Sequence, residues 1–142
     1  MGKVKVFFED VKKFPIDRTV LALHLNGLVK DEELKIGDIS IIFCSDEYLL
    51  DINREHLNHD YYTDIVTFDY SDGNLVSGDL FISVDRVKEN AGVYGESFVK
   101  ELFRVIFHGV LHLTGYKDHD EIAKKVMREK EDYYLRKLGW EE

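Results

Sequence analysis

The segment from Ser97 to His119, S-F-V-K-E-L-F-R-V-I-F-H-G-V-L-H-L-T-G-Y-K-D-H, constrains the fold more than any other part of the chain. Between Leu102 and Leu113 it is apolar on nearly every side, at Leu102, Phe103, Val105, Ile106, Phe107, Val110, Leu111 and Leu113. That pattern predicts a helix buried all round rather than one lying on the surface. Set into it are His108 and His112, four residues apart and therefore one turn apart on a single face. Gly115 follows where such a helix would end, because glycine accepts the left-handed conformation that terminates helices. The chain can then fold back and bring Asp118 or His119 to the two imidazoles.

Buried imidazole nitrogens left without partners cost on the order of 1–3 kcal/mol each. A shared cation would satisfy both. The spacing H-x3-H-x2-G-x2-D is that of a three-ligand zinc site with one position left for water. The expected ligands are His108, His112 and Asp118, with His119 as the alternative third ligand. One zinc ion per chain is expected, although nitrogen and oxygen ligands accept other divalent transition metals as well.

The 142 residues suit a single domain, 1–142, large enough to bury one core. The lone cysteine, Cys44, ends an apolar run and reads as packing, which fits a cytoplasmic setting. The N-terminal residues lack the long apolar run of a signal peptide or membrane span, so no membrane partner is expected. A formal net charge of −9 argues against indiscriminate nucleic-acid binding. Basic residues do cluster near the start, at Lys3, Lys5, Lys12, Lys13 and Arg18, and near the end, at Lys124, Lys125, Arg128 and Lys130. Interleaved with acids, they read as solvated helix faces.

Alternation at Val4, Val6 and Phe8 predicts a strand over 3–9, and Asp17 can cap a helix running past Leu28, on which His24 is structural or exposed. A second strand is expected over 39–44, then a helix capped by Ser45 and ending near His56. Strands over 63–70 and 78–84 flank the turn Ser71-Asp72-Gly73-Asn74 and should pair as a hairpin. A short helix from Asp85, the central helix from Ser97 and a last helix from Asp118 to Leu138 complete the chain. Strands in the first half and long helices in the second predict an α+β fold, a small mixed sheet packed on helices around the buried helix that carries the H-x3-H site.

The run H-G-V-L-H-L-T-G-Y-K-D-H, His108 to His119, resembles the H-G-x-L-H-L-x-G-Y-D-H signature of the YbeY family of metal-dependent endoribonucleases. Upstream, Asn53-Arg54-Glu55, Asp60, Thr63-Asp64, Phe68 and Gly78-Asp79-Leu80 are similar to that family's second conserved stretch. The resemblance implies a zinc-dependent endoribonuclease acting on ribosomal RNA in ribosome maturation, in company with the ribosome or its proteins and without DNA as a partner. Single-stranded RNA is the expected substrate, with Tyr61, Tyr62 or Tyr116 available to stack on bases. Zinc would polarise a phosphodiester oxygen and lower the pKa of its water, which could attack phosphorus or take a ribose 2′-hydroxyl proton.

The sequence departs from the family pattern twice. The family's third ligand is a histidine six positions after the second; here that position is Asp118, and His119 stands one later. Aspartate is an acceptable zinc ligand and the ungapped spacing keeps the loop length, which favours Asp118. Leu57 stands where the family has an arginine, and a leucine cannot pair with phosphate. Arg54 or His59 could supply the positive charge instead. Two other readings compete: a zinc-stabilised ribosome-assembly factor without catalysis, and a metzincin-like protease. The second lacks the glutamate that follows the first histidine in such proteases, because that position is Gly109.

Overall fold

In a computed structural model, which describes residues 2–140, the described residues form four strands and five helices. They run β1 (Val4–Phe8), α1 (Arg18–Asp31), β2 (Lys35–Cys44), α2 (Asp46–Leu57), β3 (Ile65–Asp69), β4 (Leu75–Ser83), α3 (Val84–Tyr94), α4 (Phe98–Leu113) and α5 (Glu121–Leu138). The sheet order is β1-β2-β4-β3; β2 pairs in parallel with both β1 and β4, and β3 pairs antiparallel with β4. This is the expected mixed sheet, with the expected hairpin closed by the Asp72–Leu75 bridge.

The two sheet faces bury different things. Ile39, Ile41, Phe43, Leu80 and Ile82 point into the main core, where α1 and α4 cover them. Cys44, Val66, Phe68 and Phe81 point the other way, onto Leu49 and Ile52 of α2. Period-2 alternation along each strand sorts the side chains between these layers. The central helix α4 lies between the sheet and α5, so its flanks are covered from both sides.

Four boundaries differ from the sequence reading. β2 begins at Lys35 and β4 at Leu75, because Lys35 and Leu75 pair directly across the sheet and extend both strands beyond their glycines. α3 is capped by Ser83, whose hydroxyl accepts from the Arg86 amide, and not by Asp85. α5 starts at Glu121 with Asp120 as its cap, leaving Asp118 and His119 in the preceding loop. The central helix is not apolar all round: Glu101 and Arg104 are buried on the same face as His108 and His112. At spacings of three, four and four residues these side chains form one polar stripe.

Candidate metal centre

Ser97 caps α4 by accepting from the Lys100 amide, and Gly115 (φ 112°) turns the chain back after Leu113. The stripe on α4 faces α5. His108 Nδ1 lies 2.7 Å from Glu131 Oε2, and His112 Nδ1 lies 2.9 Å from the Tyr116 carbonyl oxygen. A carbonyl can only accept, so His112 carries its proton on Nδ1; beside a carboxylate, His108 does the same. Both Nε2 atoms are then left as bare lone pairs, and they face each other at 3.0 Å. Asp118 Oδ2 completes the triangle, 3.3 Å from one and 3.5 Å from the other.

Three lone pairs converging without a proton among them repel, and a cation is the natural occupant. A tetrahedral ion with ligands at about 2.0–2.1 Å has ligand–ligand edges of about 3.4 Å, close to these separations. The residues therefore fit a metal ion, with His108, His112 and Asp118 as the group able to hold it. His119 is turned away: its ring is 72% exposed and its Nε2 lies 3.3 Å from Asp120.

Behind the histidines stands a buried ionic network that sequence reasoning missed. Glu131 is shared between His108 and Arg104 Nη1 (3.2 Å), and Arg104 Nη2 reaches Asp132 at 2.8 Å. Burial pulls the His108 pKa down, but the Glu131 hydrogen bond and the charges of Glu131, Asp64 and Asp118 outweigh it and raise the net value. Glu131 lies far along the chain in a helix dense with charge, and no short motif marks it as inward-facing. The heptad-like position of Glu131 four residues after Met127, which is buried, was the available signal. Tyr116 contributes a backbone atom, which no side-chain pattern reveals. Its phenol donates to Glu32 Oε1 at 2.5 Å, and Glu32 also accepts from Tyr134 (2.6 Å) and Lys130 (3.0 Å), so the loop is tied to the end of α1 and to α5.

A cleft of about 260 Å³ opens at His108 and Asp118 and is lined also by Asp64, Tyr94, Lys124 and Arg128. Burial raises the Asp64 pKa from its ordinary value, against the opposing pull of His108. Arg54 and His59 are not among the cleft-lining residues. Arg54 Nε is 2.6 Å from Asp60, and the His59 ring stacks on Tyr61 with centroids 5.1 Å apart. Leu57 is exposed at the last residue of α2. Tyr62 donates to Glu47 at 2.6 Å. Burial pushes the Cys44 thiol up to about 12, so it is packing and not a nucleophile.

Fold and site together define an α+β protein with a group able to hold a metal ion, a histidine pair on a buried helix and a carboxylate from the following loop. The comparisons narrow this to one family. A family model described as Endoribonuclease YbeY matches residues 9–139, and the chain belongs to that family. It is 48% identical to Endoribonuclease YbeY of Cytophaga hutchinsonii over 138 residues, 95% of this chain and 96% of the relative. It is 51% identical over 127 residues to Endoribonuclease YbeY of Bacteroides thetaiotaomicron, covering 89% and 93% of the two chains. The solution structure of TM1509 from Thermotoga maritima superposes with a TM-score of 0.66 at 26% identity, over 96% of this chain and 89% of that one. No helix among the described residues is long and apolar enough to cross a membrane.

Proposed function

We propose that this chain is a zinc-dependent endoribonuclease that cuts single-stranded ribosomal RNA during ribosome maturation, in the cytoplasm and in company with the ribosome. The observation that carries this reading is the convergence of two histidine lone pairs and one carboxylate, each imidazole fixed in tautomer by a partner behind it. Family membership supplies the substrate class, since the relatives are named endoribonucleases.

His108, His112 and Asp118 would hold the ion. When bound, zinc supplies Lewis acidity at a phosphoryl oxygen and water of lowered pKa. Glu131 and the Tyr116 carbonyl keep both Nε2 atoms aimed and unprotonated, the role outer hydrogen-bond partners serve in metal sites. Asp64, in the same cleft with its pKa lifted by burial, is placed to take up a proton and hand it to a leaving ribose oxygen.

Proteolysis is disfavoured by packing. A Cβ at Gly109 would stand 2.6 Å from Ile65 Cδ1 and 3.0 Å from Leu80 Cδ2, so that position faces the sheet and a base there could not reach the site. The test is metal content and cleavage of ribosomal RNA fragments by the parent and by His108→Ala, His112→Ala, Asp118→Ala and His119→Ala. The first three should lose cleavage while keeping their helical circular dichroism, the histidine variants without zinc and Asp118→Ala with weakened zinc binding, and His119→Ala should keep both zinc and cleavage. A folded parent that never cuts RNA would return the assembly-factor reading.

A further inference from the structure

Most basic side chains near the site are already engaged. Arg104 is buried against Glu131 and Asp132, Arg86 pairs with Asp46 and Glu89, Lys130 with Glu32, and Arg54 with Asp60. Lys124 and Arg128 are different. They project from successive turns of α5 into the metal cleft, and their acidic neighbours are no closer than 3.8 Å and 3.9 Å. Tyr94, the last residue of α3, stands on the same cleft with 57% of its surface open. The Arg128 guanidinium lies over its ring, 5.8 Å from the centroid.

The charge around this spot is also unlike the rest of the molecule. Four carboxylates line the cleft, from Asp64, Glu101, Asp118 and Glu131, against three bases, Arg104, Lys124 and Arg128, which is close to balance. The cleft wall thus opposes a polyanion far less than the chain's net charge of −9 does elsewhere. An exposed ring accepts the face of any base, and a guanidinium both stacks and pairs with phosphate. A duplex offers neither an unstacked base nor a fit to so small a cleft.

Building on the endoribonuclease reading, we infer that Tyr94, Lys124 and Arg128 form the subsite for the single-stranded RNA flanking the scissile bond. One base stacks on the Tyr94–Arg128 pair, and the adjoining phosphates lie against Arg128 and Lys124. Basic residues that read as a solvated helix face are instead half of the substrate path.

The experiment is fluorescence anisotropy of a short labelled oligouridylate with the full chain stripped of metal, so that no cleavage intrudes, across a range of salt. Tyr94→Ala and Arg128→Ala should each weaken binding about tenfold. Arg128→Ala should also flatten the salt slope by about 0.7, the value for one phosphate contact on a single strand, whereas Arg128→Lys keeps that slope and loses the stacking. Arg54→Ala should change neither. With zinc restored, Tyr94→Ala and Arg128→Ala should raise KM for a ribosomal RNA fragment with kcat nearly unchanged. Parental affinity and slope in both variants overturn the subsite, as does a loss confined to Arg54→Ala, which puts the strand at α2, or a parent that binds no oligouridylate. A parent that binds through Tyr94 and Arg128 but cuts no RNA keeps the subsite and overturns the nuclease reading.

Discussion

The two sides of α4 obey different rules. Toward the sheet, Gly109 and Ile106 meet Ile65 and Leu80 by shape alone, and one added carbon at Gly109 is too many. Toward α5, Arg104, His108 and His112 meet Glu131, Asp132 and Tyr116 by hydrogen bonds and charge. On the first side the cost of a change is set by volume; on the second it is set by which atom is left unpaired. The difference explains how one helix can be a core element and a metal platform together.

The largest expected effect breaks the shape side. Gly109→Glu drives a charged side chain into the sheet and should leave no folded protein, a loss beyond about 4–5 kcal/mol, visible as absent near-UV circular dichroism. Next comes the polar side. Glu131→Ala leaves Arg104 short of its partner in the interior and should cost about 3–5 kcal/mol in urea unfolding. Glu131→Gln keeps the fold but weakens the grip on His108, and should lower zinc affinity about 10- to 100-fold in a chelator competition.

A smaller effect sharpens the comparison. Tyr116→Phe removes the hydroxyl bonded to Glu32 but not the carbonyl bonded to His112. It should cost about 1 kcal/mol of stability and loosen metal binding modestly through the freed loop. If zinc affinity is untouched, the anchoring of the loop by α1 has no bearing on the site.

The smallest effect concerns pH. Burial raises the Glu101 carboxyl above its ordinary value of 4.5, even beside Arg104. A carboxyl with a raised folded pKa favours the folded state below its unfolded pKa and loses that contribution as pH climbs through the folded value. Glu101→Gln should therefore raise Tm at neutral pH, with the gap closing as pH falls below about 4.5. A Glu101→Gln variant with a lower Tm than the parent at neutral pH would mean that the Arg104 charge, not burial, governs this group.

Much of this was legible in the sequence, for reasons that differ residue by residue. Ser97, His108, His112 and Gly115 are local: cap, period and terminator act within one helix, and the structure has them where the spacing predicts. The mixed sheet and its hairpin followed from alternation and the Ser71–Asn74 turn. The ungapped count to position 118 favoured Asp118, and the fold brings that carboxylate to the imidazoles while His119 turns toward Asp120. Glu131 was not legible, because its partners Arg104 and His108 are distant in sequence and its own helix reads as surface. Nor were Tyr94 and Arg128 as a pair, since they come from different helices and meet only once α3 and α5 pack on α4. The α4 stripe was present as a spacing of Glu101, Arg104 and His108, but the apolar residues around it dominated the pattern.

The central claim is that the face of α4 turned to α5 holds a divalent ion with His108, His112 and Asp118. Calorimetric titration of the metal-stripped chain with zinc tests it most directly. One site per chain is predicted, abolished in His108→Ala and His112→Ala, weakened in Asp118→Ala and retained in His119→Ala. A parent that takes up no zinc, or histidine variants that bind it as the parent does, would contradict the account.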